Sequence, residues 1–509
     1  MMKTQRMLMI GLLVAIGGGV DAAERASDQV EGPPNIIYIL TDDLGYGDVS
    51  CLNPDFGKIK TPQLDQLAAE GMIFTDAHAS SSVCTPTRYS VLTGRYNWRT
   101  RLQKEVLMGF DKPLIAPDRL TVAALLKQQG YNTACIGKWH LGLDMPTVDG
   151  EPLHEEGLTN VDWSGKITGG PVDLGFDYFY GISSSLNIPP YVYLENDHFV
   201  GRDIVLQRKG RKGPREKNFD DVQTLPLLTQ KTIDFIHQQD AETPFFIYVS
   251  LTAPHTPLVP SKDWKGKSGL GVYGDFVMYT DAIIGEIADA LDDSGLGENT
   301  ILIVTSDNGT SKWCGTKKLL EQGHHFSAQY RGSKGDLWDG GHRVPFLVRW
   351  PLNVNAGTTC HQLVSLNDLM ATCAELTGTR MPENSGEDSV SFLPALLGKP
   401  IVSTRSGVIH HSFSGHFAYR QGKWKLLLAK GSGGWSEPTE DQMPADALHA
   451  QLYDMEADPG ETTNLYASHP EVAERLLQQL MSDVARGRST DGAKQKNDVE
   501  DIVLWKSGE

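Results

Sequence analysis

Asn35-Ile-Ile-Tyr-Ile-Leu-Thr-Asp-Asp43 is a run of apolar side chains stopped by two adjacent carboxylates. Ile36 to Leu40 show no alternation, so both faces of the strand they form must be buried, the habit of a parallel sheet covered on both sides. The same form recurs along the chain. Thr133 to Ile136 runs into Gly137, Lys138, Trp139 and His140, Phe245 to Val249 leads to His255, and Thr300 to Val304 ends at Ser306, Asp307 and Asn308. Helical patterns separate these strands: Thr61 and Pro62 to Glu70 closed by Gly71, Thr121 to Gln129 closed by Gly130, Val222 to Gln239, and Phe276 to Asp292 with Ile283, Ile284, Ile287 and Leu291 on one stripe. Alternating strands and helices predict a mostly parallel sheet with helices on both faces. In such sheets ligands bind beyond the carboxyl ends of the strands, so the four polar clusters are expected on one rim.

The composition suits a globular chain that buries a large core: 509 residues, 40% hydrophobic and 22% charged. A net charge of −18 argues against a general nucleic-acid binder, which needs a basic footprint. Lys3 and Arg6 precede an apolar run from Met7 to Val20, and Val20-Asp-Ala22 fits the small-residue rule for cleavage. Residues 1–22 therefore read as a secretory signal, with an uncleaved anchor as the competing reading, and no later stretch is apolar enough to span a membrane. The six cysteines are sparse and form no Cys-x-x-Cys zinc pattern, and Cys360 with Cys373 is a possible bridge.

Adjacent Asp42 and Asp43 before Gly45 and Gly47 call for a cation, although a solvated turn is the plain alternative. Asp42, Asp43, Asp307 and Asn308 together offer hard oxygen ligands, which favour calcium, with magnesium second. Cys84 opens the stretch Cys84-Thr-Pro-Thr-Arg88. Thr85 can cap a helix and Pro86 can occupy its first turn, which would put Cys84 just outside a helix N-terminus, where anions are favoured, with Arg88 aimed at the same spot. Taken alone, the pentapeptide is read equally well as a nucleophile beside an anion site or as a cysteine at a structural helix.

Cys84-Thr-Pro-Thr-Arg88, with Leu92, Thr93, Gly94 and Arg95 behind it, resembles the Cys-x-Pro-x-Arg signature of formylglycine-dependent sulfatases, of the alkaline-phosphatase-like superfamily. The strand-end clusters, Tyr330-Arg-Gly-Ser-Lys334 and Asp339-Gly-Gly-His-Arg343 with Pro345 extend the resemblance over most of 35–351. It implies that Cys84 is oxidised to 3-oxoalanine (formylglycine) by a formylglycine-generating enzyme, and that one calcium ion is held by Asp42, Asp43, residue 84, Asp307 and Asn308. It implies further that Arg88 and Lys138 hold residue 84, that Lys138, His255 and Lys334 contact sulfate, and that His255 protonates the leaving alcohol while His140 serves as base.

The expected architecture is α/β: a large mixed, mostly parallel sheet sandwiched by helices over 34–385, then a smaller α+β subdomain of antiparallel strands and one helix over 386–490. The acidic tail 491–509 reads as frayed. Asp144 to Asp221 reads as long loops that select substrate, and the basic run Arg208-Lys-Gly-Arg-Lys212 as a solvated turn. Tyr180, Asn187, Tyr191, His410 and His411 are candidate sugar contacts, although packing or capping is the stronger reading for them. The expected activity is hydrolysis of sulfate esters, of sulfated carbohydrate and aryl sulfates, by a secreted or periplasmic protein. A phosphate or phosphonate ester hydrolase and a silent sulfated-glycan-binding homologue are the alternatives.

Overall fold

The computed structural model describes residues 32–154, 160–207 and 210–506. The stretch quoted above forms β1 (Asn35–Thr41), buried at every position. Its sheet contains β2 (Met72–Phe74), β3 (Asn132–Lys138), β4 (Tyr178–Ile182), β5 (Tyr193–Glu195), β6 (His198–Val200), β7 (Phe245–Ser250), β8 (Thr300–Ser306), β9 (Phe346–Arg349) and β10 (Thr358–Cys360). The strand order is β10-β2-β9-β8-β1-β7-β3-β4-β5-β6. The central strands β8, β1, β7, β3 and β4 run parallel, and antiparallel strands lie toward both edges. Their carboxyl ends therefore share one side of the molecule, as the alternation of strands and helices predicts.

Helices cover both faces. Ile37, Ile39, Ile247, Val249, Leu302 and Val304 pack with Ile283, Ile284, Ile287 and Leu291 of the helix Val272–Asp293 on one side. Ile36, Tyr38, Leu40, Phe246 and Ile303 pack on the other with Val91 and Leu92 of Cys84–Thr93 and with Val122, Leu125 and Leu126 of Val122–Gln128. Each fully buried aliphatic side chain contributes about 1.5–3 kcal/mol, which is why an unbroken apolar run is stable only between two helical layers. Gly137 is required at the end of β3: its φ is +125°, and a Cβ there would lie 1.8 Å from the Ser250 carbonyl oxygen of β7.

The second sheet is antiparallel in the order β11 (Val408–His411), β12 (Phe417–Gln421), β13 (Trp424–Leu427) and β14 (Gln451–Asp454). The helix Pro470–Arg486 closes it through Ala473, Leu476 and Leu480 against Tyr419, Leu426 and Leu452.

Several expectations are corrected. Residues 144–221 are not simply loops: Tyr178–Ile182 extends the main sheet in parallel, and Ile204–Gln207 pairs with Gly213–Glu216. These strands are three to five residues long, too short to leave a period above the surrounding polar sequence. The tail is docked, because Arg95 donates to Asp498 at 3.0 Å and Asn497 accepts from Arg99 at 2.9 Å. Cys360 and Cys373 are both free, as are the other cysteines. The secretory-signal reading of 1–22 and the first part of the basic run lie outside the described residues. Among the described residues, no helix is long and apolar enough to cross a membrane.

Candidate active site

Asp42 and Asp43 follow β1 directly, and the turn beyond them is built on a residue that sequence reasoning passed over. Asp48 accepts hydrogen bonds from Gly45 N–H at 2.9 Å, Tyr273 O–H at 2.5 Å and Thr310 Oγ1 at 2.6 Å, and its other oxygen lies 2.8 Å from His324 Nε2. This buried hub holds Asp43 at a φ of +69°, a left-handed conformation that a non-glycine residue keeps only when its surroundings impose it. Its signal in the sequence is slight: one acid in Gly45-Tyr-Gly-Asp48.

From the neighbouring strand end, Asp307 Oδ1 accepts from Asp43 N–H at 3.2 Å, and Asn308 Nδ2 donates to Asp43 Oδ1 at 2.7 Å. The helix Cys84–Thr93 enters from one side with its N-terminus at these carboxylates. Here the local expectation needs correction: Val83 is the N-cap, extended at φ −145° and ψ 159°, so Cys84 is the first helical residue rather than lying outside the helix. Thr85 does not cap, because its hydroxyl accepts from Leu107 N–H at 3.2 Å. Cys84 Sγ lies 3.6 Å from Asp42 Oδ1 and 3.2 Å from Lys334 Nζ, and Lys334 also bonds Asp43 Oδ1. Arg88, one turn on, donates to Asp307 Oδ2 from Nε at 3.0 Å and Nη2 at 2.7 Å. Its Nη1 reaches Ser250 Oγ, and Ser250 Oγ in turn donates to the Lys138 carbonyl at 2.7 Å. Lys138 Nζ donates to Asp42 Oδ2 at 2.8 Å.

Thus Asp42, Asp43, Cys84, Arg88, Lys138, Asp307, Asn308 and Lys334 form one hydrogen-bonded cluster, and all are buried. Burial would raise the Asp42 carboxyl, but Lys138, His255 and Arg88 hold it well below the usual carboxylate range. Burial raises Asp307, Arg88 opposes that rise, and Asp42 and Asp43 add to it. Burial, then Asp307, pushes the Cys84 thiol up to about 12, so the sulfur stays protonated at neutral pH and is a poor nucleophile as it stands.

The residues fit a hard cation. Asp43 Oδ2 and Asn308 Oδ1 are buried with no hydrogen-bond partner among the described residues, and an orphaned acceptor in that position is costly unless a cation faces it. Oxygen donors from two carboxylate strand ends and one amide suit calcium or magnesium.

Both histidines stand beside the cluster. His140, at φ +59°, places Nε2 2.8 Å from the Leu107 carbonyl, which fixes the proton on Nε2 and leaves Nδ1 buried with no partner among the described residues. Burial, reinforced by Lys138 and Arg88, holds His140 well below the ordinary imidazole range, so the ring is neutral. His255 places Nε2 3.6 Å from Asp43 Oδ2, and Nδ1 3.3 Å from Ser185 Oγ. Burial lowers it, while Asp42 and Asp43 pull upward. Ser185 and Ser250 carry no sequence signal, being short polar residues among many.

Four of the five candidate sugar contacts are packed in the interior. Tyr180 stacks on Tyr193 at a centroid distance of 5.8 Å beneath Lys231, and Tyr191 is buried against Phe219. His410 and His411 are buried in β11, because Ser81 and Ser82 dock along that strand and cover it. Of the five, Asn187 alone is partly exposed.

Burial of His411 has a pH consequence. Burial, then Lys506 and His416, lowers it to about 3. The unfolded chain gains a proton below pH 6.5 whereas the native chain gains it only near pH 3, so the stability His411 supplies above pH 6.5 is lost as pH falls toward 3. Between pH 7 and pH 5 wild type should lose about 2 kcal/mol relative to His411→Leu. Parallel denaturant unfolding at the two pH values reads this difference. An unchanged gap would mean the ring is solvated.

Comparison with known proteins places this arrangement. A family model described as Sulfatase matches residues 34–379. N-acetylgalactosamine-6-O-sulfatase of Bacteroides thetaiotaomicron is 34% identical over 502 residues, covering 90% of this chain and 94% of that protein. Human arylsulfatase A is 32% identical over 526 residues, covering 97% of this chain and 94% of its own. A solved structure from work on the metabolism of multiple glycosaminoglycans by Bacteroides thetaiotaomicron superposes with a TM-score of 0.78 at 34% identity, over 88% of this chain and 99% of that one.

Proposed function

The chain belongs to the sulfatase family and hydrolyses sulfate esters, and on that premise we propose that it desulfates carbohydrate, with 6-O-sulfated N-acetylgalactosamine the first candidate, through formylglycine made from Cys84. The observation that carries this reading is the position of Cys84: first residue of a helix, 3.6 Å from Asp42 and 3.2 Å from Lys334, at the carboxyl ends of the parallel strands. Its protonated sulfur is a weak nucleophile, whereas the hydrate of an aldehyde at residue 84 offers two hydroxyls, one to attack and one to collapse.

Charge supports an anionic substrate. Asp42, Asp43 and Asp307 balance Arg88, Lys138 and Lys334, so a bound divalent cation would leave the buried cluster with an excess positive charge that a sulfate group offsets. Asp42, Asp43, Asp307 and Asn308 would hold that cation, calcium by preference, with residue 84 beside them. It would supply Lewis-acid stabilisation of charge on sulfate oxygens.

The chain's own groups account for the proton movements. With an aldehyde hydrate at residue 84, one hydroxyl would attack sulfur in line with the departing sugar oxygen and pass its proton to the neighbouring carboxylate of Asp42, whose Oδ1 lies 3.6 Å from the Cys84 sulfur, while the leaving alcohol would take a proton from His255. A sulfate beside His255 favours its imidazolium form, since an added anion raises the affinity of the ring for a proton. Lys138 and Lys334 hold the sulfate oxygens, and Arg88 holds the helix start against Asp307. The enzyme-bound sulfate ester breaks when His140 Nδ1, the free lone pair of a neutral ring, removes the proton of the second hydroxyl. Sulfate leaves and the aldehyde returns. His140→Ala should retain the first step and slow the second by about 10²–10⁴-fold. Rapid-quench analysis should then find sulfate bound to residue 84; free enzyme with undiminished turnover would remove His140 from this role.

Maturation by a formylglycine-generating enzyme and passage to the periplasm or outside the cell belong to the same reading, the latter supported by the apolar run after Lys3 and Arg6. The deciding experiment compares initial rates on a 6-O-sulfated N-acetylgalactosamine saccharide, an aryl sulfate and the matched aryl phosphate. Both sulfates should exceed the phosphate by at least about 100-fold, and the saccharide should exceed the aryl ester. Preference for phosphate would overturn the reading.

A further inference from the structure

Beside Lys334 lie two aromatic rings that no apolar layer accounts for. Trp435 stands in the Gly-rich loop Gly431-Ser-Gly-Gly-Trp435 between β13 and β14, and Phe413 in the turn between β11 and β12. Both are half-buried, their centroids 4.7 Å apart, and neither joins any hydrophobic cluster of the described residues. A large ring kept partly in water and outside the core marks a surface that a ligand covers.

The position of these rings is fixed to the reacting centre. Gly335 follows Lys334, whose Nζ is 3.2 Å from Cys84 Sγ. At Gly335 φ is +95° and a Cβ would lie 2.7 Å from the indole, so only glycine lets Trp435 rest against that backbone. Gly335 N–H donates to the Ser82 carbonyl at 2.9 Å, two residues before Cys84, and the Gly335 carbonyl accepts from Phe413 N–H at 3.1 Å. Asp336 Oδ1 accepts from Trp435 N–H at 2.8 Å and Ser436 N–H at 2.9 Å. Both connecting loops of the second sheet therefore hang on the residues next to Lys334.

A third segment brings charge. Lys312, four residues past Asn308, donates from Nζ to the Trp435 carbonyl at 3.2 Å, and the same nitrogen lies 5.9 Å from the Trp435 ring centroid and 5.0 Å from that of Trp313. Lys138 and Lys334 are each matched by a carboxylate, whereas Lys312 has no ion pair among the described residues. An ammonium has three donors, and one neutral carbonyl leaves it able to take an anion at the edge of the rings.

We propose that Trp435, backed by Phe413, is the platform for the sugar ring adjoining the sulfated one, and that Lys312 selects a neighbour bearing an anionic group. The inference rests on the carbohydrate reading given above. One face of a pyranose presents C–H groups and lies flat on an indole while its hydroxyls stay at the wet rim. Binding energy from a ring that does not react holds the sulfate in place for the one that does, so the subsite acts on kcat/KM.

The test uses the full chain and four substrates that share one 6-O-sulfated N-acetylgalactosamine: the monosaccharide, and disaccharides whose neighbouring sugar carries a carboxylate, a sulfate ester or no charge. Wild type should favour an anionic neighbour over the neutral one at least about tenfold in kcat/KM, and the faster arm identifies the group. Lys312→Met should bring that ratio near one and leave the monosaccharide within about twofold. Trp435→Ala should slow every disaccharide about 30-fold and the monosaccharide less than about threefold, with Trp435→Phe recovering most of the loss. Equal losses on monosaccharide and disaccharides, or none on either, would overturn the proposal, as would an anionic preference surviving in Lys312→Met if Trp435→Ala fails to fold. Wild type inactive on all four saccharides is instead a failure of the carbohydrate reading. Saturation-transfer NMR with the sulfate-free carboxylate disaccharide then decides the subsite: transfer lost in Lys312→Met and Trp435→Phe supports it, and transfer unchanged or absent in wild type overturns it.

Discussion

Cys84→Ala is expected to lower turnover on any sulfate ester by at least about 10⁴-fold while leaving the protein folded, since removing a nucleophile forfeits the covalent route and leaves only binding and charge stabilisation. The fold should tolerate the change. Cys84 lies at a helix start rather than in the apolar layers, its sulfur makes two polar contacts, and Lys334 keeps its bond to Asp43. The small void left by one sulfur atom costs about 1 kcal/mol. Turnover and thermal melting would be measured on one preparation, alongside mass spectrometry of the wild-type peptide containing residue 84. Active wild type with an intact thiol, or an active alanine variant, would exclude formylglycine.

Arg88→Met should be the most destabilising single change at the site. The guanidinium is fully buried, bonds Asp307 through two nitrogens, approaches Asp42 at 3.6 Å, and braces the Lys138 carbonyl at 3.3 Å. Methionine fills much of the space but leaves Asp307 charged and unpaired, and breaking a buried ion pair in this way costs about 3–5 kcal/mol. Arg88→Lys keeps the charge and loses the two-point bond, so it should fall between wild type and Arg88→Met in denaturant midpoint. Added calcium should recover part of the loss, because a cation bound by Asp307 takes over some of the neutralisation. A midpoint for Arg88→Met equal to wild type would show that Asp307 takes up a proton or is solvated there, so that no unpaired buried charge remains.

The parallel core was legible in the chain because β1, β3, β7 and β8 each carry apolar runs with no alternation, and each run ends in residues that an apolar layer does not accommodate. Once these strands are parallel, Asp42, Lys138, His255 and Asp307 are brought to one rim by direction alone. The motif at Cys84 supplied the chemistry. What was not legible has two physical causes. The strands Tyr193–Glu195 and His198–Val200 are too short to establish a period, and Asp48, Ser185 and Ser250 act through side-chain hydrogen bonds to distant segments that leave no pattern in the chain.

The amino-acid sequence by itself determined the order of elements, the residue types at each strand end and the family whose chemistry they share, because burial and chain direction are written in local composition. Tertiary structure decided which nitrogen carries a proton and which acceptor lacks one. Asp43 Oδ2, Asn308 Oδ1 and His140 Nδ1 acquire their meaning only from partners brought from distant segments. Hydrogen bonding depends on side-chain orientation at contact distance, and a linear pattern specifies neither.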